Sequence, residues 1–329
     1  MKKFKIGIDN YGLYPLRLNP LETLQWARDH GAEGVAFSGL EPEEQKLINP
    51  AYLKDLRQYA ETHNLYLEWG GAQHIPRDMS SWEKRNLFAI SEKAAHEAEA
   101  LGTRIVRSCS GGLMRWNPEN PTTETLLLET AEALKSQRQM LKDHNVILAI
   151  ETHFEFTTFE LRKLFELCEA EPGDYLGVCL DTMNLLTMLE DPVSAIERIL
   201  PWVVSTHIKD GALLLTSEGL TTFPVEVGTG VVDLKRIIHL LSTLSWDVNL
   251  SVEDHGGDFQ LPIYDQRFLS EFPDLTEEEF AKLKILAQKT QAKLDDTECR
   301  IVEREKWGEV SEDRMKQNLL TLQKLLSDY

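Results

Sequence analysis

Short apolar segments alternate with longer amphipathic segments from the start of the chain to about residue 256. The apolar segments have the length of strands, and the segments between them repeat apolar residues at helical spacing, as Leu21, Leu24 and Ala27 do. Such an alternation predicts βαβ units and a parallel sheet. The eight predicted strands are residues 3–9, 33–39, 65–72, 103–110, 146–150, 175–181, 202–210 and 248–256.

Eight strand–helix repeats favour a closed (β/α)8 TIM barrel over an open doubly wound sheet. No G-x-G-x-x-G follows the first strand, which disfavours a dinucleotide-binding fold. The stretch after residue 210 is predicted as a loop to about residue 230. We therefore predict a barrel domain over 1–256 and, because no Pro/Gly/Ser linker follows, a mostly helical extension over 257–329 packed on the same domain.

Four consecutive predicted strands end in side chains that can bind a metal. Glu151, Asp181, His207 and Glu253 each stand where an apolar run stops. In a barrel the carboxyl ends of the strands converge on one rim, so these side chains should meet there. Three carboxylates and one imidazole suit Mn²⁺, Mg²⁺ or Co²⁺ better than a structural zinc site, although Zn²⁺ is a further candidate.

Composition narrows the class of partner. The 329 residues include 35 Lys and Arg against 54 Asp and Glu, a formal net charge of −19, which disfavours nucleic acid. The four cysteines form no C-x-x-C pair, which is typical of reduced thiols in a cytoplasmic protein. No apolar run approaches membrane-spanning length, so no membrane partner is expected and the predicted location is the cytoplasm.

Four short motifs carry a resemblance to a known family. "AIETH", "GVCLDTMN", "THIKD" and "SVED" resemble the xylose isomerase-like barrels, specifically the sugar (phosphate) isomerase/epimerase group, over about residues 4–256. The resemblance implies that Glu151, Asp181, His207 and Glu253 bind a divalent metal, commonly Mn²⁺. It also implies that Glu151 and Glu253 are the catalytic acid/base pair. Asn184 departs from the family, in which many epimerases have a histidine.

Further polar and aromatic residues near the strand ends are candidate substrate-binding groups. Lys209 and Arg107 could bind a carboxylate or phosphate of the substrate, or could form salt bridges with the acidic rim. His74 and His255 are weaker candidates, and Asp210 is predicted to be a cap or a partner of a ligand rather than a ligand. The predicted substrate-binding residues are Lys209, Arg107, His153, Asn184, Trp69 and Glu68, with residues 109–116 as a candidate lid.

The first functional hypothesis is a metal-dependent isomerase or epimerase of a keto sugar, acting through an enediolate. "ETHFEFTTFEL", "EDP" and "THIKD" also resemble a branch of the superfamily assigned to decarboxylation of 3-oxo sugar acids, which gives the same type of intermediate. A barrel subunit of a carbon-glycoside deglycosidase and a non-catalytic sugar-binding barrel are the remaining alternatives. In each case the expected partner is a small carbohydrate, and residues 276–329 could support a homo-oligomer.

Overall fold

The computed structural model describes residues 4–327 apart from 113, 118 and 296–298. Eight of its strands are parallel and close into a barrel in the order β1-β10-β7-β6-β5-β4-β3-β2, which confirms the predicted TIM barrel. The strands are β1 (Ile6–Asp9), β2 (Gly34–Phe37), β3 (Tyr66–Ala72), β4 (Ile105–Ser108), β5 (Ile147–Glu151), β6 (Leu176–Asp181), β7 (Val203–Ile208), β8 (Asp210–Leu215), β9 (Leu220–Val225), β10 (Leu250–Val252) and β11 (Phe259–Leu261).

Helices connect successive barrel strands and begin at side chains suited to cap them. Asn19 and Thr157 each accept backbone N–H groups of the first turn, and a glutamate three residues later bonds back to each cap. No helix among the described residues is long and apolar enough to cross a membrane. The helices are α1 (Pro20–Asp29), α2 (Pro42–Gln45), α3 (Pro50–His63), α4 (Leu87–Leu101), α5 (Thr123–Asp143), α6 (Thr158–Leu167), α7 (Asn184–Thr187), α8 (Pro192–Ile199), α9 (Leu234–Ser242), α10 (Gln266–Ser270), α11 (Glu277–Asp295) and α12 (Trp307–Ser327).

The register of the barrel brings its strand ends level with one another. Asp181 at the end of β6 is paired with His207 on β7, and His207 is paired with Ser251 on β10. β5, β6 and β7 are buried along their whole length because helices cover their outer faces and other strands face them across the barrel. The polar side chains at these ends are therefore held by a rigid, fully packed core.

The predicted loop up to residue 230 is wrong as far as Val225. β8 and β9 form an antiparallel hairpin there, and β11 adds to it as the third strand of a small sheet. Gly219 turns the hairpin with a φ of 148°, and a Cβ at this position would lie 2.1 Å from the carbonyl oxygen of Leu261. The sheet was missed because Pro224 argues against a strand and because β11 is remote in sequence.

The C-terminal helix α12 packs on the barrel itself. It contacts β1, β10 and the 3-10 helix Asn10–Leu16, so it lies beside the seam where the first and last strands meet. The indole Nε1 of Trp307 donates to the carbonyl of Gly12, 3.1 Å away, and Trp307 is fully buried. The division of the chain into a barrel and an extension stays a prediction.

Candidate metal centre and cavity

The four predicted ligands meet at the carboxyl end of the barrel. One ligand atom from each of Glu151, Asp181, His207 and Glu253 lies within 4.8 Å of all the others, and all four residues are buried. His207 Nδ1 lies 3.1 Å from Glu151 Oε1 and 3.1 Å from Glu253 Oε2. The sequence pattern therefore located a compact cluster of three carboxylates and one imidazole.

Two oxygens of this cluster are suited to bind a cation. Asp181 Oδ1 accepts the backbone N–H groups of Met183 and Asn184, each at 2.8 Å, and this leaves Oδ2 directed elsewhere. Asp181 Oδ2 and Glu253 Oε2 are both buried, and the ammonium nitrogen of Lys209 lies 2.9 Å from the first and 3.0 Å from the second. Buried carboxylate oxygens of this kind are costly unless a positive charge lies beside them. The donor set fits a hard divalent cation.

Asp9 and Ser38, which the sequence analysis did not predict as site residues, lie beside the second ring nitrogen of His207. Its Nε2 lies 3.4 Å from Asp9 Oδ2 and 3.3 Å from Ser38 Oγ, and Ser38 Oγ donates to Asp9. A carboxylate on one ring nitrogen orients the other nitrogen towards a metal. Asp9 ends the first strand, so the pattern that identified the other strand-end residues contained the signal for it as well.

Lys209 supplies a positive charge inside the cluster. Its Nζ lies 2.9 Å from Asp181 Oδ2, 3.0 Å from Glu253 Oε2 and 3.3 Å from His255 Nε2. Burial alone would lower the pKa of Lys209, but Asp181 and Glu253 raise it well above its usual value. The same pairing counteracts the effect of burial on Glu253, whose pKa lies well below its usual value. Lys209 is therefore an ammonium group at neutral pH.

Arg107 lies against another carboxylate of the cluster. Its Nη2 donates to Glu151 Oε2, and its Nη1 donates to the carbonyl of Ser38 at 2.9 Å. Burial alone would raise the pKa of Glu151, but Arg107 and His207 lower it below the usual range. The sequence predicted that Arg107 and Lys209 would either bind an anionic group of the substrate or form salt bridges with the acidic rim. The structure shows both side chains in ion pairs and facing the cavity.

A cavity of about 270 Å³ opens above the cluster. Arg304, from the 3-10 helix Arg304–Lys306, reaches this cavity and donates to the hydroxyl of Tyr11. Phe259 of β11 forms part of another wall. No local motif marked Arg304 and Phe259, because they reach the cavity only through the packing of the C-terminal segment on the barrel. Tyr11 reaches it from the 3-10 helix that follows β1. The lining residues are Tyr11, Ser38, Gly39, Arg107, Glu151, His153, Phe154, Asn184, Lys209, Glu253, His255, Phe259 and Arg304.

Trp69 and Glu68 lie outside this cavity. The indole of Trp69 points away from the barrel axis and donates to Glu97 on α4 at 3.0 Å. Glu68 points into the barrel, where it accepts from Asn249 at 2.8 Å, and burial raises its pKa to about 7. β3 covers Tyr66–Ala72, in agreement with the predicted strand 65–72, and places both residues in the middle of the strand rather than at its end. They are not among the residues that could contact a ligand in the cavity.

His153 lines the cavity and is paired with Glu155. Its Nδ1 lies 2.9 Å from Glu155 Oε2. Burial alone would lower the pKa of His153, but Cys109 and Glu155 raise it well above its usual value. Within the candidate lid, Arg115 is buried and donates to Glu160. Leu113 of this segment lies outside the described residues.

Asp210 acts as a cap and not as a member of the cluster. Its carboxylate accepts four backbone N–H groups, those of Gly211, Gly228, Gly230 and Val232, at 2.8 to 3.2 Å. The turn at 227–230 contains two glycines, as phosphate-binding loops often do. Its backbone N–H groups of Gly228 and Gly230 already donate to the carboxylate of Asp210. A Cβ on Gly230 would lie 2.1 Å from Asp210 Oδ1, so the close approach requires glycine.

The fold is a TIM barrel with a carboxylate–imidazole cluster at the carboxyl end of its strands, the face at which TIM barrels place their active sites. The chain belongs to the xylose isomerase-like TIM barrel family, whose model matches residues 24–290. A 3-oxo-isoapionate decarboxylase of Pectobacterium atrosepticum is 26% identical over 213 residues, which are 63% of this chain and 67% of that protein.

Two solved structures show the same fold. The D-allulose 3-epimerase of Methylomonas sp. has a TM-score of 0.62 and is 14% identical, with 99% of each chain covered. The IolI protein with a bound zinc atom has a TM-score of 0.58 and is 18% identical, with 87% of this chain and 99% of that chain covered. Identities this low relate these proteins to the chain by fold alone.

Proposed function

We propose that the protein is a divalent-metal-dependent decarboxylase of a 3-oxo sugar acid. The observation that carries this proposal is the positive charge in the lining of the cavity. Arg107, Lys209 and Arg304 all line it beside the carboxylate cluster. Once a divalent cation is bound, that ion and the three cationic side chains carry five positive charges. The three cluster carboxylates and Asp9 carry four negative charges, which leaves an excess of one positive charge. A sugar acid carries the anion that balances this excess, whereas a neutral ketose does not. The similarity to the 3-oxo-isoapionate decarboxylase supports the same substrate class.

Glu151, Asp181, His207 and Glu253 would hold the metal. When bound, it would supply Lewis-acid stabilisation of the negative charge that develops on the 3-oxo group. Arg107 and Lys209 face the cavity beside these ligands and would bind the carboxylate of the substrate through charge-assisted hydrogen bonds. This orients the bond between the carboxylate and its carbon for cleavage.

Decarboxylation requires no side chain of the cavity to act as a base. The carbon–carbon bond breaks, its electron pair moves towards the 3-oxo group, and CO₂ leaves, so no base has to remove a proton from carbon. In this reaction Glu151 and Glu253 would serve only as metal ligands. A proton must then be added to the carbon that lost CO₂. Because the raised pKa of Lys209 makes its ammonium group a weak acid, water entering the cavity would supply this proton.

Isomerisation or epimerisation of a keto sugar is the second candidate. Glu151 and Glu253 both line the cavity, as an acid/base pair would require, and solved epimerases share the fold. Under this hypothesis a glutamate removes a proton next to the ketone and a glutamate returns one. The two candidates therefore differ in which bond at the carbon breaks.

One experiment separates the two reactions. The Mn²⁺-loaded protein, exchanged into Mg²⁺, is incubated in D₂O with 3-oxo sugar acids labelled with ¹³C in the carboxyl group, and with a panel of keto sugars, and followed by NMR. Labelled bicarbonate, formed by wild type and lost in Arg107→Met and Lys209→Met but not in the surface variant Arg236→Met, is the expected result. Deuterium entering a ketose with an intact skeleton would instead establish isomerisation. A protein that binds no divalent cation would favour a non-catalytic sugar-binding barrel.

A further inference from the structure

A second cluster of metal-binding side chains lies beside the first. One ligand atom from each of Cys109, His153 and Glu155 lies within 4.8 Å of the others. Cys109 directly follows β4, and the other two residues follow β5, so neighbouring strand ends of the rigid barrel position all three. None of them belongs to the four-residue cluster. We propose that these three side chains form a second metal site, which takes Zn²⁺ or a similar thiolate-binding divalent cation.

Glu155 is fixed for this role by the backbone. It is almost fully buried, and its Oε1 accepts the N–H groups of Ser110 and Gly111, the first at 2.8 Å. Its Oε2 meets His153 Nδ1 at 2.9 Å. One oxygen of Glu155 is therefore anchored by the backbone, and the other is directed at the imidazole beside it.

The spacing of the ligand atoms requires only a small contraction. Zinc bond lengths of about 2.0–2.3 Å place ligand atoms of a tetrahedral site roughly 3.5 Å apart. Cys109 Sγ lies 3.9 Å from Glu155 Oε1 and is half-buried, so its thiol can turn towards a cation. Three protein ligands leave a fourth position open, as in zinc sites that bind water or substrate.

An unpartnered imidazole nitrogen stands next to this cluster. His74 is fully buried, its Nδ1 is bonded to Ser108 Oγ at 3.1 Å, and its Nε2 has no hydrogen-bond partner among the described residues. The backbone N–H of His74 donates to Ser110 Oγ, and Ser110 in turn donates to Glu155. A buried, unused ring nitrogen is costly unless something binds it, and a cation or its bound water at this cluster would do so.

The two clusters differ in the metal they select. The first offers three carboxylates and one imidazole and suits Mn²⁺ or Mg²⁺. The second offers a thiol, which Mg²⁺ and Mn²⁺ bind weakly and which Zn²⁺ and Co²⁺ bind well once it loses its proton. This inference does not depend on the proposed decarboxylation, because it concerns binding alone.

Titration of the metal-free full-length protein with Co²⁺ tests the proposal. Thiolate coordination gives a sulfur-to-cobalt charge-transfer band in the near ultraviolet, which oxygen and nitrogen ligands do not give. We expect two bound equivalents and this band in the wild type. In Cys109→Ser we expect one equivalent and no band, and addition of Zn²⁺ to the wild type should remove the band by displacing Co²⁺.

Three variants distinguish this site from the first. Cys168→Ser, which changes a buried thiol bonded to Ala131 O, should keep the band, and His153→Gln should lose it. Asp181→Asn should weaken the first site and keep the band. A wild type without the band, or a band that persists in Cys109→Ser, would overturn the proposal. A band lost in Asp181→Asn but kept in Cys109→Ser would assign it to Cys179, which neighbours His207.

Discussion

Replacing Arg314 by methionine should lower the free energy of unfolding by about 3–4 kcal/mol at pH 7. Arg314 lies on α12 and forms a buried ion pair with Asp254, the residue after Glu253. Its Nε lies 2.7 Å from Asp254 Oδ2 and its Nη2 lies 3.2 Å from Oδ1. Methionine keeps much of the aliphatic volume but leaves the buried carboxylate without its cation.

The expected magnitude follows from the contacts that remain. Two charge-assisted hydrogen bonds at roughly 1.5–3 kcal/mol each are lost, while Asn318 still donates to Asp254 Oδ2 at 2.8 Å. The loss has an upper limit, because protonating an ordinary aspartate at pH 7 costs about 4 kcal/mol and the residue can neutralise itself. At pH 5 that limit falls to about 1.5 kcal/mol.

The pH dependence of the loss follows from the pKa of Asp254 in the folded and unfolded states of the variant. In the variant the folded-state pKa of Asp254 lies above its unfolded value, so the folded state binds the extra proton. Its stability is then retained at low pH and lost as the pH rises through the folded-state pKa. The deficit of Arg314→Met relative to wild type should therefore shrink between pH 7 and pH 5.

Urea unfolding of purified proteins at both pH values measures the effect. Arg236→Met is the matched control, because Arg236 pairs with Glu197 at 2.7 Å but their side chains are 45% and 48% exposed, so we expect about 0.2–1 kcal/mol. The double variant Asp254→Asn/Arg314→Met should recover part of the loss. Equal losses of stability in Arg314→Met and Arg236→Met would refute the argument that the uncompensated carboxylate causes the loss. A loss in Arg314→Met that does not change with pH would also refute it.

Three further outcomes follow from the site. Asp9→Asn should weaken Mn²⁺ binding about 10- to 100-fold in calorimetry, because Asp9 orients His207, and an unchanged affinity would contradict that role. Burial raises the pKa of Glu68 to about 7, so wild type loses stability as the pH rises from about 4.3 to 7. Urea unfolding should show Glu68→Gln gaining stability relative to wild type over this range, and a constant difference would contradict the shift. Trp69→Phe should leave KM unchanged in a steady-state assay, because its indole lies outside the cavity, and a raised KM would place it at the substrate.

Much of the cluster could be read from the sequence because each of its four residues lies at or directly after the carboxyl end of its own strand. An apolar run that stops at Glu151 or Asp181 encodes both the strand and the position of the side chain at its end. Glu68 and Trp69 lie in the middle of β3, and the predicted strand 65–72 already included Ala72. Their distance from the carboxyl end of the strand could therefore be read from the sequence. The contact of Trp69 with Glu97 on α4 could not, because it depends on packing between elements.

The sequence by itself determined the barrel and the order of its strand-end ligands, because hydrophobic periodicity and the residues that end each strand are local properties. Only the tertiary structure decided what surrounds the metal cluster. Arg304 and Phe259 reach the cavity through the C-terminal segment, and Asp9 supports His207 across the barrel. Lys209 and Arg107 form ion pairs whose partners lie on other strands. Such contacts join residues far apart in the chain, and they form only when the barrel closes and the C-terminal segment packs on it.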